Sequence, residues 1–356
     1  MSHPHPLRIG VIGAGGIMRA AHLPGWQQVP GARIVAVCDL DRGTAERFAT
    51  ECTLPADKVY SDVQSMLDGN ELDAVDICTP NRAHTPQVLA ALERGLHVLC
   101  EKPLATTTAE VRQMQTAAAT AKKILMTAQN HRFSAISRGI RKFVEADGLG
   151  EVYHARIHAV RRNWLPVKPT FIDNAISGGG PCMDIGVHAL DLGLWLMGFP
   201  EPVRVSGTTK VNFAKGHGIP GGWGEWDRKR FDVEDFASGF VHFDNGATLV
   251  LEASWLQHQL EKEDFSAQLF GHKAMVKWPS GDLATVIGGS LIDAKVQEVP
   301  GLKASHHEEI FAFAEAIRGG KPSPVPVDQT LKVIAILEAI VESGRQGREI
   351  VLPTAN

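Results

Sequence analysis

Along the first 128 residues, short continuous apolar runs alternate with stretches whose apolar positions recur every three to four residues. "LRIGVIG", "ARIVAVCD", "KVY", "AVDICTP", "HVLCEKP" and "ILMTAQN" have the length and content of strands. Several are too uniformly apolar to face water on either side. Helical periodicity falls between them, near Arg42–Thr50, Thr85–Arg94 and Ala109–Ala121. Strands buried on both faces and joined by helices predict a doubly wound parallel sheet, of the kind that binds dinucleotides.

After Asn130 the pattern changes. A helix near Ile136–Ala146 is followed by the long strand "GEVYHARIHAVRRNW" and by a second helix beginning near Pro181. Beyond Val203 the alternation becomes regular, and in "FASGFVHFDNGATLVLEASW" the pair Asn245-Gly246 separates two alternating runs as a hairpin turn does. The second run puts Leu249, Leu251, Ala253 and Trp255 on one face. Two helices, "HEEIFAFAEAIRGG" and "DQTLKVIAILEAIVESG", and a short strand "EIVL" close the chain. The expected fold is α/β followed by α+β: a Rossmann domain over 1–128, then a substrate-binding and oligomerisation domain over 129–356. The latter has an open, mainly antiparallel sheet with helices on one face. The segment 214–232, rich in Gly and Trp, has no periodicity and is expected to be a long loop.

Composition narrows the function. With 356 residues, 44% hydrophobic and 21% charged, the chain has the length and apolar content for two cores. A net charge of −4 without a long basic run gives no footprint for nucleic acid or an anionic membrane. No spanning-length apolar run or export signal is visible, so the expectation is a cytoplasmic protein acting on a small molecule. The five cysteines form no C-x-x-C pair and are expected to be reduced, small hydrophobes.

Candidate chemistry lies at strand ends, where ligands bind in open α/β sheets. Gly13, Gly15 and Gly16 follow the first strand, where a tight turn lets backbone approach a pyrophosphate and the next helix, through Ile17 and Met18, aims its N–H groups at the anion. Met18 stands where the G-x-G-x-x-G pattern has its third glycine, and its bulk is expected to loosen helix-strand packing. Asp39 ends the second strand, placed to accept hydrogen bonds from adenosine ribose hydroxyls and to repel a 2′-phosphate, which favours NAD over NADP. A glycine-rich turn with a helix-capping Asp would give the same letters; the order of strand, turn, helix, strand and acid favours the nucleotide. Thr79, Asn81 and His84 in "CTPNRAH", and Glu101 and Lys102 in "CEKP", occupy two further strand ends, although "TPN" is equally good chemistry for starting a helix. In "SGGGPCMDIGVHALDLGLWLMG", Asp184 and His188 are spaced i, i+4 on one helical face, a carboxylate and imidazole suited to acid/base work. A first-turn Asp facing the helix dipole beside a structural His is the alternative, and the stronger one from this segment alone. Neither this segment nor "SHHEE" supplies a metal ligand set, so no metal is expected.

Taken together, "GVIGAGGIMRAAHLPGW", "AVCDLD", "CTPNRAHTPQVLAALERGLHVLCEKPLA", "QNHRF", the triple-glycine segment, "VEDFASGFVHFDNGATLVLE" and the closing helices resemble the Gfo/Idh/MocA oxidoreductases over nearly the whole chain. The resemblance implies a nicotinamide-binding Rossmann domain and a C-terminal sheet that forms an oligomer interface. It also implies roles for Lys102 as active-site lysine, Asp184 and His188 as acid/base pair, and Asn130 near the cofactor. Phe171-Ile172 stands where the family often has Trp-Arg, which leaves the substrate open. The expected activity is NAD(P)-dependent hydride transfer at a secondary alcohol of a sugar, cyclitol or related polyol, in a dimer or tetramer. Arg161, Trp164 and His258 are further candidates to line the substrate site. Two rivals are a glycoside-cleaving enzyme that oxidises transiently and a non-catalytic dinucleotide or sugar sensor.

Overall fold

The computed structural model describes residues 6–353 other than 217 and 303. Six strands, β1 (Leu7–Ile12), β2 (Ala32–Cys38), β3 (Val59–Tyr60), β4 (Ala74–Ile77), β5 (His97–Cys100) and β6 (Leu125–Thr127), form a wholly parallel sheet. Its order is β3-β2-β1-β4-β5-β6. The helices Arg42–Cys52, His84–Glu93 and Thr108–Ala121 fall where periodicity put them. The order reverses between β1 and β4, and that switch is where the doubly wound fold opens a crevice at the carboxyl ends of its strands.

The chain divides into two compact units, but not by a single cut after residue 128. The first takes the chain up to Ala105, Ala109–Phe133 and Gly301–Thr330; the second takes Thr106–Thr108, Ser134–Pro300 and everything from Leu331. Helix Ser305–Gly319 returns to the first unit because Ile310, Phe313 and Ala314 pack among Leu7, Ile9, Trp26 and Val29. Burying each of the larger side chains contributes about 1.5–3 kcal/mol.

The second unit holds a nine-stranded sheet, ordered β14-β13-β12-β11-β7-β10-β9-β8-β15. The strands are β7 (Val152–Arg161), β8 (Pro202–Lys210), β9 (Phe236–Phe243), β10 (Thr248–Ser254), β11 (Glu263–Gly271), β12 (Ala274–Trp278), β13 (Asp282–Ile287), β14 (Ser290–Lys295) and β15 (Ile350–Val351). All neighbours are antiparallel except β7 and β10. Helix Val187–Leu196 packs on β7 and β11. Leu249, Leu251, Ala253 and Trp255 are all buried, and Leu251 and Ala253 lie against the Gly186 turn. This register makes them core rather than an outward surface. The alternate residues Thr248, Val250 and Glu252 are half-buried on the opposite face.

Four cysteines are buried and Cys52 is half-buried; all five are free thiols. No described helix is long and apolar enough to cross a membrane.

Candidate active site

The glycine turn is built around one close approach. Gly13 has φ +87°, and a Cβ there would lie 2.8 Å from the Cys78 carbonyl carbon and oxygen, so no other residue fits. At Gly15 and Gly16 the opposite holds: nothing lies within 4 Å of where a Cβ would stand. The turn is thus packed on its inner side and bare on its outer side, as a backbone cradle for a phosphate requires. Beyond it, a π-helical turn, Met18–His22, runs into helix Leu23–Trp26. The wider turn carries Met18 into the core among Val11, Ala14, Val37 and Phe48, fully buried. The expected loosening at this position is therefore absent. Ile17 is 39% exposed beside the bare glycines.

Asp39 stands at the end of β2 with both oxygens engaged. One accepts from the Ala14 N–H and the other from the Asp41 N–H, each at 2.9 Å. It joins the glycine turn to the second strand. The Thr79 hydroxyl donates to Gln87 at 2.6 Å, and Asn81 begins the short helix after β4. His84 is fully buried, its ring nitrogens 2.9 Å from the Pro103 and Thr79 carbonyl oxygens. It ties the β4 loop to the Lys102-Pro103 turn instead of pointing into a crevice. Asn130, 7% exposed, donates to the Ser305 hydroxyl at 3.2 Å. Glu101 is buried, and one of its oxygens accepts the Lys102 backbone N–H at 3.1 Å.

In the second unit, Asp184 lies in another π turn, Cys182–Gly186, which leads into the helix carrying His188. Sequence periodicity assumed a plain α-helix here. Trp255 is the residue this reasoning missed: its indole N–H donates to Asp184 Oδ2 at 3.1 Å, fixing the carboxylate from beneath. Glu234 holds the start of the turn, accepting from the N–H groups of Gly180 at 2.9 Å and Cys182 at 3.1 Å. A Cβ on Gly180 would meet the Glu234 carbonyl oxygen at 2.0 Å, which explains the last of the three glycines.

A cavity of about 410 Å³ opens between the segment after β7 and the long loop. Trp164 and His258 line it together with Arg162, Gln257 and Lys262. Arg161 does not; its guanidinium donates to Glu263 at 2.8 Å and lies over Trp223. Trp164 and Trp223 are stacked, with centroids 6.1 Å apart and planes 5° from parallel. The loop over 214–232 is pinned at its start, where Asp235 accepts from the N–H groups of Asn212, Phe213 and Ala214 at 2.7–3.0 Å.

A parallel sheet with a bare glycine turn, an acid at the second strand end, and a separate unit carrying a buried, hydrogen-bonded Asp and a His four residues on define a dinucleotide-dependent oxidoreductase. Comparison with known proteins agrees. Residues 7–129 match the family model described as "Oxidoreductase family, NAD-binding Rossmann fold", and residues 137–277 match the Gfo/Idh/MocA C-terminal domain. D-glucoside 3-dehydrogenase of Escherichia coli is 31% identical, covering 98% of both chains. The 1,5-anhydro-D-fructose reductase of Ensifer adhaerens is 28% identical over 98% of this chain and 99% of its own. The solved structure of levoglucosan dehydrogenase with NADH and L-sorbose superposes with a TM-score of 0.85 at 22% identity, covering 99% of this chain and all of that one. The chain belongs to the Gfo/Idh/MocA family of oxidoreductases, and it is a sugar oxidoreductase with an NAD-binding fold.

Proposed function

We propose that the protein oxidises a secondary ring hydroxyl of a sugar, glycoside or related polyol with NAD, in preference to NADP. A bound nicotinamide supplies the hydride acceptor. His188 accepts the hydroxyl proton, Asp184 orients the imidazole, and Lys102 steadies the negative charge that develops on the substrate oxygen. Gly13, Gly15, Gly16, Ile17 and Met18 form the pyrophosphate turn and Asp39 receives the adenosine ribose. Thr79, Asn81, Glu101 and Asn130 shape the nicotinamide side, and Trp164 and His258 border the sugar. The observation that carries this reading is the carboxylate of Asp184, nearly buried yet given a fixed donor by Trp255, four residues before a histidine on the same helical segment. A glucoside is the first substrate to try, because the E. coli relative is named for oxidising one at position 3.

The test is a panel of sugars, glucosides and polyols assayed for NADH formation, followed by pH profiles of the variants. Alcohol oxidation needs a neutral imidazole, so kcat/KM is expected to rise as the histidine loses its proton. His188→Ala should erase that limb and cost about 10²–10⁴ in rate, while Lys102→Met should depress turnover without abolishing NADH binding. Near-normal turnover by His188→Ala with an unchanged profile would overturn the assignment.

A further inference from the structure

Behind the Lys102 turn runs a line of buried charged groups, two of which, His22 and Asp76, have no part in the proposed reaction. His22, on the π turn after the glycines, is fully buried. Its Nδ1 lies 2.8 Å from Asp76 Oδ2 and its Nε2 lies 2.9 Å from Glu101 Oε1. Asp76, in the middle of the otherwise apolar β4, also accepts from the Trp26 indole N–H at 2.7 Å. The second oxygen of Glu101 takes the Lys102 backbone N–H. The chain of hydrogen bonds from Asp76 through His22 and Glu101 to the Lys102 amide is unbroken.

A histidine with a carboxylate at each nitrogen satisfies both by donating from both, as imidazolium. Burial by itself pulls His22 toward neutrality, but the Asp76 charge and hydrogen bond outweigh it and hold its pKa well above the ordinary value. Burial likewise pushes Glu101 up, yet the hydrogen bond and charge of His22, with the Lys102 charge, leave it below the usual carboxylate range. The other titratable groups around the line are shifted toward their neutral forms. Burial raises Glu309, on helix Ser305–Gly319, and the thiols of Cys78 and Cys100. Burial lowers His306, whose ring is 6.3 Å from that of His22, and takes His131 to about 4 with help from the His306 and Lys102 charges. The remaining charges alternate: Asp76, His22, Glu101, Lys102. His22, Asp76 and Cys78 lie close enough to share a metal ion. Both ring nitrogens already face carboxylates and the thiol is pushed away from its anion, which makes this a hydrogen-bonded line and not a ligand set.

We infer that His22 is a positioning residue for Lys102: clamped by Asp76, it aims Glu101 so that the second carboxylate oxygen pins the lysine's backbone and keeps a counter-charge beside its ammonium. This rests on the reading that Lys102 meets the substrate oxygen.

Two substitutions give opposite signatures. His22→Gln keeps a donor toward Glu101 but removes the cation, so Glu101 protonates at higher pH. Turnover should fall about tenfold or more, with little change in KM, and activity should be lost further as pH falls. Asp76→Asn leaves His22 without its stabilising charge, so the ring loses its proton as pH rises and activity should drop on the alkaline side. A role confined to folding lowers the melting temperature but moves neither limb. If His22→Gln binds NADH and shows the wild-type profile while Lys102→Met is impaired, the inference falls and the proposed function stands. If Lys102→Met turns over normally, the reading beneath it falls instead. Should the variants not fold, ¹⁵N NMR of the wild-type protein decides: one of the 15 histidines should remain protonated on both ring nitrogens at about pH 8, well above the ordinary value, and finding none overturns the inference.

Discussion

Asp39 is tied into the turn it serves, because both its oxygens accept backbone N–H groups, from Ala14 and Asp41. Changing it therefore alters turn stability together with the coenzyme choice proposed for it. On the proposed reading, Asp39→Ser with Leu40→Arg removes the carboxylate that would repel a 2′-phosphate, and the new guanidinium occupies a position that is 93% exposed and leaves the core intact. The ratio of kcat/KM for NADP over NAD should rise by on the order of tenfold, with a loss of about 1–2 kcal/mol in stability. A wild type that already prefers NADP would contradict the role given to Asp39. A second residue-scale effect belongs to His158, whose Nδ1 is 2.7 Å from Asp264 Oδ2. That hydrogen bond raises His158 and lowers Asp264. The His158 contribution is present below the ordinary histidine value of about 6.5 and is lost as pH rises through the raised value. The Asp264 contribution is lost as pH falls through the lowered one. The pair is partly exposed, so His158→Gln should cost less than about 1 kcal/mol at mildly acid pH and almost nothing at pH ~9, as denaturation at both pH values would show.

At the scale of elements, the strands and helices of the first unit were legible because burial on both faces leaves an unambiguous apolar run, and the end of each run gave the turn residues. Two π turns were not. Met18–His22 and Cys182–Gly186 insert an extra residue into helices whose letters have ordinary periodicity, and tertiary packing decides the insertion. The consequence was a wrong expectation for Met18 and no hint that Trp255 reaches Asp184. The acid in "AVDIC" was a visible signal that went unused: a carboxylate inside a buried strand needs a partner, and His22 and Trp26 supply it. Because Trp255 is fully buried and donates to Asp184, Trp255→Phe keeps an aromatic ring in the core but removes the donor and leaves a small cavity. Stability should drop by about 1–3 kcal/mol. If Asp184 orients His188 as proposed, kcat should fall more than KM rises, because its carboxylate is freed. Unchanged kinetics with lowered stability would make the bond structural alone.

At the scale of the molecule, what distinguishes the second unit is the face of its sheet opposite the Leu249, Leu251 and Trp255 core. Across four strands the register lines up Phe240, Val250, Arg156 and Gln268 in one row and His242, Thr248, His154 and Phe270 in the next. Phe240 is 37% exposed, and the Arg156 guanidinium lies 5.0 Å from the Phe270 ring centre. An aromatic and arginine-bearing surface of this kind suits an isologous contact between two chains. We therefore expect sedimentation at micromolar concentration to give a dimer or tetramer. Arg156→Glu sets a negative charge among residues that would face their own counterparts, and Phe240→Asp removes the aromatic of that row. Aromatic and arginine anchors carry a disproportionate share of interface energy, so each change should weaken association about tenfold or more. The double variant should sediment as a monomer that still binds NADH, because both residues are remote in sequence from the glycine turn and belong to the other unit. A monomeric wild type would remove the premise, and an assembly indifferent to the double variant would move the interface to another surface.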